Sequence, residues 1–191
     1  MGIGTIIVLG VLAAVVVYAI MIYNNLVQIK HNVTKAWANI DVLLKQRHDE
    51  LPKLVETCKQ YMKFEQETLA KVMEARSRVF AAKEAQNIPQ LGQAEGALRA
   101  TLGSLFALAE AYPDLKTNQT FQQLQTRISG LENAIADRRE FYNESVNVNN
   151  IRIEQFPDTI VAGMFGFKPA QLLEFQAEEK ADVDVGKLFK S

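Results

Sequence analysis

The chain has 191 residues, with 21 basic against 22 acidic side chains, a formal net charge of −1 and a single cysteine, Cys58. This balance argues against a nucleic-acid binder, which would carry a basic stripe, and one cysteine cannot form an internal disulfide. His31 and His48 stand far apart without Cys/His company, so no metal-ligand spacing is present and neither metal nor cofactor is expected.

The first element is an apolar run from Ile3 to Tyr23 without charge, proline or amide side chain; the first charged side chain is Lys30. About 20 such residues at roughly 1.5 Å rise cover the ~30 Å hydrocarbon core of a bilayer. In lipid the backbone must satisfy its own hydrogen bonds, which demands a helix despite the many β-branched side chains. A secretory signal peptide would need a charged n-region, a shorter apolar core and a small-residue cleavage site. Residues 1–23 are therefore expected to form a single-pass anchor in membrane lipid. Tyr18 and Tyr23 stand where a headgroup layer would begin, and Gly10 with Ala14 makes a small-xxx-small pair suited to helix association. Lys30 and Lys35 follow the run, so the positive-inside rule places the larger part of the chain in the cytoplasm.

From Asn24 the pattern is helical. Val33, Trp37, Ile40, Leu44, Arg47, Leu51, Leu54, Cys58 and Tyr61 recur at alternating steps of four and three, the seam of packed helices. No Gly or Pro interrupts Ala13 to Leu51, so the membrane helix should run directly into the first domain helix. Pro52 is either a kink or the first turn of a new helix capped by Asp49. A second segment keeps Leu54, Cys58, Tyr61, Leu69, Val72 and Val79 on one stripe. Asn87 then caps a third helix carrying Leu91, Leu98, Leu102, Leu105 and Ala109, which stops at Tyr112-Pro113. After a loop over Asp114–Thr117, Asn118 caps the last long helix. Its seam runs through Phe121, Leu124, Ile128, Leu131 and Ile135, then Arg139, Tyr142, Val146 and Ile153, and Phe156-Pro157 closes it. A short apolar stretch follows, Asp158 to Phe167. Glu174 to Ser191 carries charge with few large apolar groups and should be frayed or disordered.

Leg lengths bear on Pro52. An unbroken helix from Asn24 to Glu84 would rise about 90 Å, and the shorter legs that follow would leave much of it unpaired. A turn near Pro52 instead gives four legs of ~38, ~50, ~36 and ~55 Å that stack side by side. The expectation is an all-α chain: an N-terminal transmembrane helix, then an antiparallel up-and-down four-helix bundle over 24–167, then a partly disordered tail over 168–191.

Several residue groups resemble the bacterial LemA family: Tyr23-Asn24, Ala36-Trp37, Ile40-Asp41-Val42, Leu44-Lys45 before Arg47, and Leu51-Pro52 with Leu54-Val55. Ala75-Arg76, Glu110 with Tyr112-Pro113 and Leu115, Arg139 with Tyr142-Asn143, Phe156-Pro157 and Phe165-Gly166-Phe167 extend the likeness over nearly the whole chain. The resemblance implies a small protein of the bacterial inner (plasma) membrane, its short N-terminus outside and a helical bundle in the cytoplasm. It implies no established enzymatic activity and supplies no catalytic or binding residues.

Two groups of residues remain as candidates. Asp41, Arg47, Glu65, Arg76, Glu110, Arg139 and Asn143 are polar groups at or beside the apolar seams. They read as an anion or proton site, as ion pairs that set helix register, or as long stems reaching the surface; register-setting is the best-attested use. With a turn near Pro52, the last leg ends where the first left the membrane. Ile160, Val161, Met164, Phe165 and Phe167 would then contact the headgroups, or else fold back over the core. Trp37, Tyr61, Tyr112, Phe121 and Tyr142 at helical spacing read as core. Of three glycosylation-like triplets, two fall inside predicted helices, and Asn118 reads as a cap. No phosphate loop, nucleophile elbow or HExxH pattern is present. The expected role is a non-catalytic, membrane-anchored scaffold for another membrane or cytoplasmic protein, or for a second copy of itself. The rival is a membrane-tethered sensor that holds a small ligand inside the bundle.

Overall fold

The computed structural model describes residues 2–174, and every regular element among them is a helix. These are α1 (Ile3–Lys59), α2 (Gln66–Glu84), α3 (Ile88–Ala109), α4 (Pro113–Lys116), α5 (Gln119–Glu154) and α6 (Asp158–Phe165). Of the tail expected to be partly disordered, 168–191, residues 175–191 lie outside the described residues, and Leu173 within it is buried.

The expected turn near Pro52 does not occur. α1 is a single helix of 57 residues with Pro52 inside it, and Asp49 is an ordinary helical residue rather than a cap. The chain reverses later, over 60–65, where Tyr61 and Met62 donate backbone N–H to the Cys58 carbonyl and Glu65 to that of Met62. Neither the unbroken first leg nor the early turn is correct. A proline deprives the carbonyl four residues back of its donor. Here that carbonyl belongs to His48, and Arg76 Nε of α2 donates to it at 2.8 Å. A side chain distant in sequence thus supplies what Pro52 cannot.

The chain forms two compact units, each assembled from separated stretches. The first comprises residues up to Asp41 and Asp137–Leu172, so it holds the start of α1, the end of α5, and α6. Its apolar helix, Ile3 onward, is almost wholly exposed and is long and apolar enough to cross a membrane. That helix continues through Asn24 without a break, as the absence of Gly and Pro predicts. At the end of the run, Ile22, Leu26, Ile153, Val161 and Ala162 form a buried cluster, with Ala19 and Phe167 packed against it.

The second unit comprises Val42–Ala136 with Leu173 and Glu174. The periodic apolar residues are its core: Leu44, Leu51, Leu54 and Cys58 of α1, Leu69, Val72 and Val79 of α2, Leu91, Leu98, Leu102 and Leu105 of α3, and Phe121, Leu124, Ile128 and Leu131 of α5. Burying each such side chain contributes about 1.5–3 kcal/mol against conformational entropy. Both predicted asparagine caps form. Asn87 Oδ1 accepts from Gln90 N at 3.1 Å, and Asn118 Oδ1 accepts from Phe121 N at 2.9 Å. Asn118 also donates to the Tyr61 hydroxyl at 2.9 Å, which ties the start of α5 to the first reversal. The expected loop after Tyr112-Pro113 contains the one-turn helix α4, since Pro113 at its first position needs no N–H partner.

Candidate functional site

In the first unit, the site is built where the apolar run of α1 ends. The cluster expected only as a short apolar stretch is the helix α6, closed by Gly166 in the left-handed conformation (φ 69°) that glycine adopts without cost. Phe167 N–H returns to the Ala162 carbonyl at 3.0 Å and completes that cap. Tyr23 meets Phe165 with ring centroids 4.7 Å apart and Phe167 at 5.9 Å. Of the five candidate contact residues, Val161 turns inward and is buried, Phe167 is half-buried, and Ile160, Met164 and Phe165 are exposed.

Polar contacts fasten α6 in place. Arg152 of α5 lies 2.6 Å from the buried Asp158 Oδ2 at the start of α6 and donates to Asn25 Oδ1 of α1 at 3.2 Å. The Arg152–Asp158 contact is an ion pair rather than an aligned hydrogen bond. Beyond Gly166 the chain is strapped back to α5. Asn150 and Ala170 exchange two hydrogen bonds of 2.9 and 3.0 Å, and the Tyr142 hydroxyl donates to the Gln171 carbonyl at 2.9 Å. Tyr142 also packs on Trp37, centroids 5.7 Å apart, and burial pushes its hydroxyl pKa up. A groove of about 340 Å³ opens beside α6, lined by Lys30, Val33, Thr34, Asn149, Gly166, Phe167, Lys168 and Ala170.

In the second unit, the polar candidates take separate partners. Arg47, among the most buried side chains described, pairs with Glu95 of α3 and, at 2.5 Å, with Glu132 of α5. Burial alone lowers its pKa, but the two carboxylates together outweigh burial and hold it above the usual value. Arg76 donates to His48 twice: to the carbonyl, and at 2.5 Å to ring Nε2. A guanidinium only donates, so Nε2 is the unprotonated nitrogen of a neutral imidazole. Glu65 accepts from the Tyr112 hydroxyl at 3.2 Å. Glu110 does not enter the interior, because α3 ends at Ala109 and Glu110 is its exposed C-cap residue, paired with Lys116. Asp41, Arg139 and Asn143 are half-buried in the first unit.

Glu95, Glu132, Arg152, Asp158 and Asn149 take part in these contacts and are not among the candidates that the sequence offers. A signal was present for two of them. Glu95 falls between Leu91 and Leu98 on the apolar stripe of α3, and Asn149 between Val146 and Ile153 on that of α5. Among the described residues, no group of three or more His, Cys, Asp or Glu side chains has a metal-holding arrangement. The first unit thus offers an apolar helical surface beside the end of the apolar run, and the second holds a buried arginine between two carboxylates.

These features define the class: an all-helical chain whose first helix is long and apolar enough to cross a membrane and continues into packed helices. The sequence profile of the LemA family matches residues 36–186, and the chain belongs to that family. It is 28% identical over 166 residues to Protein LemA of Metamycoplasma hominis, covering 86% of this chain and 74% of that protein. It is 34% identical over 92 residues to Magnetosome protein MamQ 2 of Paramagnetospirillum magneticum, covering 48% of this chain and 33% of that one. Magnetosome protein MamQ of Magnetospirillum gryphiswaldense matches at 33% identity over 75 residues, 39% of this chain and 28% of that protein. The chain thus spans about a third of the magnetosome relatives' length.

Proposed function

We propose that this LemA-family chain is a membrane-anchored, non-catalytic scaffold that presents a rigid helical surface to another protein or to a second copy of itself. The second unit is read as an antiparallel up-and-down four-helix bundle of Val42–Lys59, α2, α3 and the first half of α5. Arg47 supports this reading most directly, because it joins α1 to both α3 and α5, while Arg76 joins α2 to α1. An interior whose central cation is answered by two carboxylates suits register-setting better than ligand capture, where unpaired polar groups would line a wet pocket. Lys30 and Lys35, following the apolar run, support an orientation with the helical part in the cytoplasm of a bacterial inner membrane.

Two experiments test this. A reporter fused after Ser191 should be active only in the cytoplasm; activity of an export-dependent reporter there overturns the orientation. Photocrosslinking in cells, from exposed positions on α2 and α3, should yield discrete protein adducts on the purified full-length chain. A small molecule retained by the gently purified chain, with no protein adduct, would favour the sensor reading instead.

A further inference from the structure

We infer that α6 and the two lysines beside it form a foot that rests on an anionic bilayer, with Ile160, Met164 and Phe165 in the interfacial layer and Lys30 and Lys168 at the headgroups. The inference rests on the reading of α1 as a membrane anchor. Val161 and Ala162 point inward, while Ile160 and Met164 stand away from them, Met164 75% exposed, and Phe165 at the end of α6 is 60% exposed. An apolar face of that kind needs cover. Its position supplies the occupant. Phe165 packs on Tyr23, the last residue of the apolar run, while Ala19 and Ile22 from within the run share the α6 cluster. The open face of α6 is thus continuous with the surface that the span offers to lipid.

Charge supports the same occupant. Lys30 lies seven residues beyond Tyr23, about 10 Å along the helix axis, and headgroups extend several Å outside the hydrocarbon core. Its long stem can carry the ammonium back toward that layer. Lys168 directly follows Phe167, and both lysines line the 340 Å³ groove, whose lining includes no carboxylate. An eight-residue helix would bind a membrane weakly alone. This one is pre-positioned by the Arg152–Asp158 pair and the Gly166 cap, so little ordering entropy opposes insertion.

The test uses the full-length chain in vesicles of phosphatidylcholine, alone or mixed with phosphatidylglycerol. Nitroxide labels are placed at Met164→Cys and Phe165→Cys, at Leu12→Cys as a reference in the span, and at Phe141→Cys as an exposed apolar reference on α5. The wild-type chain, with buried Cys58, sets the labelling background. The expected result is lipid-side accessibility at 12, 164 and 165 and water-side accessibility at 141, with a larger inserted fraction at 164 and 165 in the anionic vesicles. Lys30→Glu with Lys168→Glu should remove that gain, about fivefold for each lysine. A Leu12 label in lipid with 164 and 165 in water overturns the foot and leaves the anchor standing. Insertion indifferent to phosphatidylglycerol overturns the role of the lysines. A Leu12 label in water overturns the anchor and the foot together.

Discussion

Arg76 Nε donates to the carbonyl oxygen of His48 at 2.8 Å, the one carbonyl in α1 that Pro52 deprives of its helical donor. The same guanidinium reaches His48 Nε2 at 2.5 Å, and the imidazole lies 4.7 Å from the Phe80 ring. The break in the helix ladder is repaired by a side chain 28 residues away, from the helix packed beside it. Pro52 and Arg76 are therefore one structural feature.

That coupling has a measurable consequence. Arg76→Ala should lower the stability of the detergent-solubilised chain by about 1.5–3 kcal/mol, the range for hydrogen bonds to a charged donor. In a Pro52→Ala background residue 52 regains its N–H, and the same substitution should cost clearly less. Urea denaturation of the four proteins closes the cycle; equal costs in both backgrounds would refute the coupling.

The His48 environment also sets a pH dependence. Burial, first, and the positive charges of Arg76 and Lys83 lower the His48 pKa, against a smaller opposing effect of Asp49. The neutral imidazole is the native form, so its stabilising contribution is complete above the ordinary value of about 6.5. It is lost as the pH falls toward and through the lowered folded value, because the unfolded chain then binds the extra proton. Thermal melts from pH 8 to pH 5 should fall more steeply for the wild type than for His48→Gln. Parallel curves would remove His48 from the account.

The ion pairs of Arg47 predict an asymmetry. Arg47→Ala removes the buried cation that Glu95 and Glu132 both face and should cost about 3–5 kcal/mol. Replacing all three members together, Arg47→Met with Glu95→Leu and Glu132→Leu, should recover most of that loss, because the desolvation cost goes with the charges. Equilibrium unfolding followed by circular dichroism distinguishes the two. A triple variant as unstable as Arg47→Ala would mean that the pairs themselves are net stabilising.

Gly92 gives a prediction whose sign is diagnostic. A Cβ at that position would lie 1.9 Å from the Glu174 carbonyl oxygen, a backbone atom that can retreat only by moving its segment. Gly92→Ala should therefore displace the chain around Leu173, which is buried, and destabilise the protein despite the better helix propensity of alanine. Limited proteolysis near Leu173 should accelerate. A gain of up to about 1 kcal/mol, as for an open helical site, would show that the approach is not made in solution.

Much of the architecture is legible in the sequence. The run from Ile3 to Tyr23, the seams from Ile40 to Cys58 and from Phe121 to Val146, and the caps Asn87 and Asn118 all follow from local chemistry. Helical periodicity and an asparagine before a helix act over a few residues, and neighbours in sequence suffice to reveal them. The place where α1 reverses was not legible, since a proline is compatible with a turn or a continuous helix, and the choice depends on whether a donor reaches the freed carbonyl. Arg76 supplies that donor only once α2 is packed against α1.

The candidate site divides in the same way. That Ile160, Met164 and Phe165 form an apolar group was readable from composition, and that Arg47 lies on an apolar seam from spacing. Which carboxylates answer Arg47, and that Val161 turns inward while Phe165 meets Tyr23, were not. The sequence by itself determined an all-helical chain with one apolar span and the stripes its helices bury, because hydrophobic periodicity is a property of each segment alone. Only the tertiary structure decided where the chain turns, which charges pair and where α6 docks, because each of these depends on contacts between residues that are distant along the chain.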